Sequence, residues 1–292
     1  MKTILIISMF FAAANVLGQG MASELYQYNY SFVHPAFAGA EGQKISLLGR
    51  TAKYDGGFGR VAQTMFLVSY ENYFEKLSSG LAVTGYSEGF GPSSLSSLAI
   101  SYNYKFTLGA STELITGARV QRHFHSVSLD YYREIHPNDP ILNPNFSASN
   151  WAADLGAMLK VKEFYFGLLA NSLAHSNNTG DMIGWPDDLN ENYAAIVGGS
   201  FVLGEHLASQ HSLYVPFGDK GYRVDLNNTL IIRNLFLAGL SIERAGEKFS
   251  VRGNAGLKVK DYFQILFLIY SDKRDDFEPA KLRGELFMGF RF

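Results

Sequence analysis

The chain has 292 residues, a formal net charge of −2, 23 Phe, 17 Tyr, 29 Gly and no cysteine. The near-neutral charge argues against nucleic acid as a partner, because nucleic-acid-binding domains usually carry a basic surplus. The lack of cysteine excludes a disulfide framework and thiolate chemistry. After the N-terminal region, no stretch approaches the roughly 18 uninterrupted apolar residues of a transmembrane helix.

The first residues have the layout of an export signal. Met1 and Lys2 form a short basic start, and an apolar run follows over residues 4–16. Val16 and Gly18 then stand at positions −3 and −1 of a cleavage site before Gln19. The run is too short for a comfortable membrane span, so we predict a removable signal peptide over residues 1–18.

Fourteen strand candidates follow, most with one apolar face and one polar face. They cover residues 43–54, 61–74, 77–86, 94–106, 112–129, 151–161, 164–173, 193–203, 210–217, 222–232, 235–243, 249–259, 262–270 and 282–292. In the fifth candidate, for example, Leu114, Val120 and Phe124 alternate with Arg119, His123 and His125. A membrane barrel turns the apolar face to lipid and the polar face to its lumen. The pattern predicts an all-β transmembrane antiparallel outer-membrane β-barrel of about 14 strands, with twelve as the alternative count.

The last candidate alternates almost without error and stops on an aromatic residue. Leu286, Phe290 and Phe292 share one face, while Arg283 and Glu285 lie on the other. A soluble sandwich would bury such an apolar face, but it would also avoid the many aromatics predicted on its outer surface. We interpret the strand as lipid-facing, with Phe290 and Phe292 as the C-terminal signal read by the barrel-assembly machinery.

The connections between candidates are of two kinds. Short ones lie around residues 75, 109, 162, 233 and 261, and longer ones are predicted at residues 55–60, 87–93, 130–150, 175–192 and 271–281. Short periplasmic turns and longer extracellular loops are typical of outer-membrane barrels. Aromatic residues near strand ends predict interfacial girdles: Tyr54, Tyr70, Tyr73, Phe74, Tyr86, Tyr102, Tyr104, Tyr165, Tyr193, Tyr262 and Tyr270.

Residues 19–42, between the signal and the barrel (43–292), do not have a strand pattern. Pro35 forbids a central strand, and small residues after it permit close backbone packing. The segment resembles the start of the PorP/SprF family of type IX secretion and gliding-associated outer-membrane proteins in Bacteroidetes. The matching residues are Tyr26, Tyr28, Asn29, Pro35, Ala36, Ala38 and Gly39, whereas Leu25 and His34 replace the Gln and Asn usual there. Short matches continue at residues 89–92, 102–104, 138–140, 225–234 and 237–241.

The resemblance implies an accessory role in type IX secretion. Its cargo would be a large adhesin or another protein with a C-terminal sorting domain, and gliding motility could depend on it. Implied partners are this cargo, periplasmic ring or lipoprotein subunits, and outer-membrane lipid. We expect residues 19–42 to lie in the lumen or at the periplasmic mouth. Trp185, in a predicted outer loop, is a candidate partner contact, with an interface anchor as the alternative.

The sequence is also compatible with two other functions. An outer-membrane channel or transporter of small hydrophobic molecules would use a lumen lined by Arg119, Asp154, Arg223, Asp225, Arg252, Lys258, Arg283 and Glu285. A barrel phospholipase would need His123 or His125 with Ser126, but the alternation places Ser126 on the opposite face. We therefore expect no enzyme activity, and no catalytic, cofactor-binding or metal-binding residues are predicted.

Overall fold

In the computed structural model, the described residues are 26–56, 59–128, 146–177, 193–218, 221–245, 248–260, 262–270 and 283–292. They form a closed antiparallel barrel of 14 strands, so the predicted fold and strand number are confirmed. Within these residues, no helix has the length and apolar character needed to cross a membrane. The predicted signal peptide, residues 1–18, lies outside the described residues.

Each strand pairs with its neighbours in the sequence, and β1 closes the barrel on β14. The strands are β1 Lys44–Gly56, β2 Gly59–Phe74, β3 Ser79–Phe90, β4 Ser93–Gly109, β5 Thr112–Val127, β6 Phe146–Val161, β7 Phe164–Asn177, β8 Tyr193–Gly204, β9 Leu207–Gly218, β10 Gly221–Ile232, β11 Phe236–Ala245, β12 Lys248–Val259, β13 Phe263–Tyr270 and β14 Arg283–Arg291. The closing ladder runs from Lys44↔Arg291 to Ala52↔Arg283. Closure leaves no sheet edge in the bilayer, where unpaired backbone groups are costly.

Alternation along the strands separates a lipid face from a luminal face. On β4, Leu98, Ile100 and Tyr102 are about half exposed, whereas Ser101 and Asn103 are buried. Glu285 and Phe287 on β14 are likewise buried, while Phe290 is 37% exposed. Because successive strand residues point to opposite sides, a pattern of period two is enough to predict which side chains meet lipid.

Three aromatics predicted for the girdles face the lumen instead. Tyr73 on β2 lines the space beside residues 36–42 and lies under Lys105 Nζ. Tyr86 is only 6% exposed and shares its face of β3 with buried Ala82 and Thr84. The ring of Tyr165 on β7 contacts luminal residues rather than the outer surface. Proximity to a strand end does not indicate which face a side chain occupies, and the girdle prediction was wrong for these three residues.

Two of the five loops predicted to be long are short. The pairing of β1 with β2 continues through Asp55↔Arg60 to Gly56↔Gly59, and β3 continues to Phe90 before β4 begins at Ser93. Glycine and charged residues that suggested loops are therefore part of the hydrogen-bonded ladders. The short periplasmic connections were predicted correctly, and the first is a 3-10 turn, Glu75–Leu77, followed by Ser78 at φ 47°.

Residues 26–39, the buried part of the described chain before β1, lie inside the barrel. They form a 3-10 turn at Tyr26–Tyr28, one helical turn at Tyr30–Val33 and a second 3-10 turn at Pro35–Phe37. Proline suits the first position of such a turn, because its fixed φ is compatible and its missing N–H has no partner to lose. We call residues 26–42 the plug. It leaves the barrel at the end where β1 starts and β14 ends, which is the periplasmic end.

Candidate functional site

The first half of the plug is held by two buried tyrosines. The hydroxyl of Tyr26 accepts a hydrogen bond from Asn227 Nδ2 at 2.7 Å. The hydroxyl of Tyr28 lies 2.9 Å from Thr229 Oγ1, and its ring lies 5.7 Å from that of Phe287. Burial raises the pKa of both phenols, so they stay neutral. Together they attach the plug to the wall formed by β10 and β14.

Contacts with β2, β3 and β5 hold the next residues. Asn29 Nδ2 donates to Ser69 Oγ at 3.0 Å on β2. Arg119 on β5 donates to the carbonyl oxygen of Phe32, whose ring stacks on Tyr86 of β3 at 5.7 Å. The plug therefore reaches strands on both sides of the lumen, and its cross-section is occupied by side chains from residues 26–32.

The second half of the plug lies against a row of luminal glycines, which we call the glycine seat: Gly80, Gly117, Gly156 and Gly167. An added Cβ at Gly80 would lie 1.9 Å from the carbonyl oxygen of Ala38. One at Gly117 would lie 2.5 Å from the amide nitrogen of Ala36. Glycine is required at these positions because the backbones of plug and wall approach within the space of a methyl group.

Strand register places three glycines of the seat in one row across the sheet, and Gly167 lies beside that row, paired with Met158. Gly80 pairs with Asn103, Asn103 pairs with Gly117, and Gly117 pairs with Gly156. Asn103 is the polar clamp in this row, since its Nδ2 donates to the carbonyls of Ala36 at 2.8 Å and Ala38 at 2.6 Å. Its Oδ1 accepts from the Gly80 amide at 2.7 Å. One buried amide thus satisfies three backbone groups.

His34 fills the space above two of the glycines. Its Nδ1 accepts from the Ala36 amide at 3.2 Å, which places the proton on Nε2, 3.0 Å from the Leu168 carbonyl oxygen. An added Cβ at Gly156 would lie 2.6 Å from His34 Cε1. Burial lowers the pKa of His34 to about 4. The imidazole is therefore neutral near pH 7 and packs between the plug and the wall with both of its nitrogen atoms hydrogen-bonded.

Charged groups fix the plug where it leaves the barrel. Lys44 Nζ lies 2.7 Å from Glu41 Oε2 and also donates to the Tyr28 carbonyl at 2.6 Å. Arg291 of β14 lies 2.6 Å from the same Glu41 oxygen. Although burial acts in the opposite direction, the charges of Lys44 and Arg291 hold the pKa of Glu41 at about 2. The Gly39 amide donates to Glu71 Oε2 at 3.1 Å on β2.

Six of the luminal charges predicted from the sequence lie beside an opposite charge, namely Arg119, Asp154, Arg223, Asp225, Arg252 and Glu285. Arg119 lies 2.6 Å from Asp154, and Arg223 lies 2.9 Å from Asp225. Further pairs are Arg50 with Glu88 and Glu285, and Arg252 with Glu243. Buried charges are tolerated when paired in this way. Lys258 and Arg283 were also predicted to line the lumen. The side chain of Arg283 lies outside the part of the chain that the structure describes.

The histidines and the serine considered for a phospholipase site lie on opposite faces of β5. His123 and His125 are buried on the luminal face of β5, whereas Ser126 is exposed on the other face. His125 Nε2 lies 2.8 Å from Ser93 Oγ. Within the same residues, no group of three or more His, Cys, Asp or Glu side chains could hold a metal ion.

The structure brings together in the plug all seven residues that carry the resemblance: Tyr26, Tyr28, Asn29, Pro35, Ala36, Ala38 and Gly39. Phe292 lies apart from them at the periplasmic rim and is 74% exposed. Trp185 lies outside the described residues. Sequence reasoning missed Asn103, Glu71 and the glycine seat. Their only signal was small or polar residues at luminal positions, which gained meaning from the register between strands.

Comparison with known proteins identifies the family. The model for "Type IX secretion system membrane protein PorP/SprF" matches residues 18–271. The fold is similar to Omp33 of Acinetobacter baumannii (11% identity, TM-score 0.50, covering 86% of this chain and 98% of that chain). It is also similar to the Pseudomonas putida toluene transporter TodX (9%, 0.54, 95% and 95%) and the monoaromatic hydrocarbon channel CymD (10%, 0.59, 96% and 98%). No curated protein sequence matches the chain.

The structural similarities, at these low identities, show the fold alone, that of an outer-membrane β-barrel. The family match is of another kind, because it follows the sequence from the predicted cleavage site through β13. Its range includes the whole plug, the glycine seat and Asn103, through which the plug and the wall are in contact. The protein is therefore a member of the PorP/SprF family of type IX secretion system outer-membrane proteins.

Proposed function

We propose that the protein is an accessory component of type IX secretion that assists the export or surface attachment of one specific large adhesin or C-terminal-sorting-domain cargo. Family membership supports the connection with this secretion system. The observation that carries the mode of action is the plug, because a lumen occupied by the chain's own residues has no room for a cargo polypeptide. The barrel then acts by contact with other proteins.

Contact surfaces would lie at the two ends of the barrel. Extracellular connections, including the one with Trp185, would meet the cargo, and the periplasmic rim would meet ring or lipoprotein subunits of the secretion machinery. The plug leaves the barrel beside that rim, where Glu41, Lys44 and Arg291 fix its position. A partner bound at the rim would therefore touch both the barrel and the plug. In this proposal the protein has no catalytic role.

The test is an in-frame deletion with plasmid complementation. We expect one large surface or secreted protein to disappear in the deletion strain while other type IX cargo remains, as measured by quantitative proteomics of surface and medium fractions. A strain that depends on gliding should lose motility if the missing cargo is its adhesin. Unchanged surface and medium proteomes in the deletion strain would contradict the proposal.

A second candidate is transport of small hydrophobic molecules, because TodX and CymD are named as a toluene transporter and a hydrocarbon channel. The luminal contacts favour the first candidate. At the level of the plug, the polar groups of the wall, such as Asn227, Thr229 and Asn103, are hydrogen-bonded to the plug, and the apolar groups of the wall are packed against it, so the space is already occupied. Substrate-dependent uptake of toluene that is lost on deletion would reverse this preference.

A further inference from the structure

A cavity of about 250 Å³ lies at the periplasmic end, between the plug and the wall formed by β4 to β7. Its floor includes Phe37 of the plug together with Ile115, Met158 and Tyr165 of the wall. Phe37, Ile115 and Met158 are buried, and the Phe37 ring lies 5.2 Å from that of Tyr165. The floor is therefore apolar and is built half by the plug and half by the barrel.

The size of the cavity selects a class of ligand. Sites for small molecules usually enclose roughly 300–1,000 Å³. A cavity of about 250 Å³ is below that range and suits one large side chain better than a whole cofactor or drug-sized molecule. A side chain that enters an apolar pocket at an interface is the usual anchor of a protein–protein contact.

The charges at the mouth select the chemistry beside that side chain. Glu113 lies 3.2 Å from Lys105 and is the cross-strand partner of Lys160. Glu113 is thus paired with Lys105, whereas Lys160 has no ion-pair partner in the described part of the chain. Glu41, which also lines the cavity, is already paired with Lys44 and Arg291. Among the charged side chains that line the cavity, Lys160 is therefore the cation left to attract a carboxylate.

We propose that this cavity binds an apolar or aromatic side chain that a periplasmic protein presents next to a carboxylate. The apolar group would lie against Phe37 and Met158, and the carboxylate would lie near Lys160. Because Phe37 stacks on Tyr30 at 4.8 Å within the plug, an occupant contacts the plug directly. The assignment of the partner to the secretion machinery rests on the proposed function; the chemistry of the pocket does not.

The test uses the full-length protein in lipid nanodiscs and a hexapeptide in which photoleucine stands beside aspartate. Irradiation should give saturable cross-links, which mass spectrometry should place on Phe37, Ile115 or Met158. Lys160→Glu should weaken the apparent affinity by about fivefold or more, since it removes a partly exposed ion pair and adds repulsion. Met158→Trp should fill the cavity and abolish cross-linking. Lys76→Glu, in the β2–β3 turn, is the matched control and should change nothing.

Lys160→Glu leaves the buried floor intact, so it tests the pocket even if Met158→Trp does not fold, which gel migration before and after heating would reveal. Cross-linking that is absent, unsaturable or equally strong in Lys160→Glu would overturn the inference. If the deletion strain exports every cargo but the peptide still binds, the proposed function fails and the pocket stands. If cargo is lost but the peptide does not bind, the pocket fails and the function stands.

Discussion

Gly117→Ala is predicted to loosen the plug without weakening the barrel. The new Cβ would lie 2.5 Å from the Ala36 amide nitrogen and 2.6 Å from the Pro35 carbonyl carbon. Both are backbone atoms and cannot rotate away, and β5 is held by continuous ladders on both sides. Overpacking of this kind costs about 1–3 kcal/mol. That energy raises the ratio of released to seated plug by about five- to 150-fold.

The absence of cysteine makes the released plug measurable. Ser31 is 2% exposed, and its Oγ donates to Asn29 Oδ1 at 2.9 Å, so Ser31→Cys should place a unique and buried thiol in the plug. A water-soluble maleimide can react with this thiol only when the plug opens. We expect labelling in the Gly117→Ala background to accelerate by the same five- to 150-fold factor, about one to two decades.

Gly253→Ala is the matched control. It makes the same substitution in β12, but nothing lies within 4 Å of the added Cβ. Its labelling rate should equal that of Ser31→Cys alone. If Gly117→Ala and Gly253→Ala are labelled at the same rate, the glycine seat does not hold the plug and the reasoning is refuted.

Three further predictions concern the plug and the end of the chain. Asn103→Ala removes the donor to two plug carbonyls, so each buried group left unpaired should cost about 1–3 kcal/mol and both thermal stability and plug protection should fall. Because burial lowers the pKa of His34 from 6.5 to about 4, protection should be complete above pH 6.5 and decrease as the pH falls toward 4, by up to about 3 kcal/mol. His34→Asn, which restores the usual family residue, should remove this pH dependence, and losing the bond to the Leu168 carbonyl should cost about 1 kcal/mol. Deletion of Phe292 should reduce the fraction of folded barrel in the outer membrane, as measured by the shift of gel migration on heating.

The controls follow from the same geometry. Asn228→Ala changes an exposed amide of β10 and should leave labelling unaltered, in contrast to Asn103→Ala. A pH profile of labelling that is identical in His34→Asn and the wild type would show that another group titrates. Normal assembly without Phe292 would remove that residue from the proposed C-terminal signal.

The barrel could be predicted from the sequence because the strand period of two decides which side chains meet lipid. The lipid-facing side of β4 could be identified from the alternation of Leu98, Ile100 and Tyr102 alone, without knowledge of the neighbouring strands. Tyr86 was misplaced because its position near a strand end was taken as the signal rather than its parity with Ala82. The positions of the strand ends were predicted less well. The backbones of polar and glycine residues at the ends of long hairpins join the hydrogen-bonded ladder as readily as those of apolar residues.

The plug and its seat could be predicted only in part. The resemblance pointed to Pro35, Ala36 and Ala38, and their small size indicated close packing. What they pack against depends on contacts between residues far apart in the sequence, such as Asn103 with Ala36. The row from Gly80 through Asn103 to Gly117 exists only after the register of three strands is known. No local pattern in one strand contains that information.

The central claim is that the barrel is closed by its own plug and therefore acts by contact with proteins rather than as a conduit. Single-channel conductance in planar lipid bilayers tests it most directly, with the wild-type protein compared with a variant lacking residues 19–42 that has passed the heat-migration test of folding. We predict that the wild type shows no steady conductance and that the deletion variant shows regular open steps. Equal, steady conductance in both proteins would contradict the account.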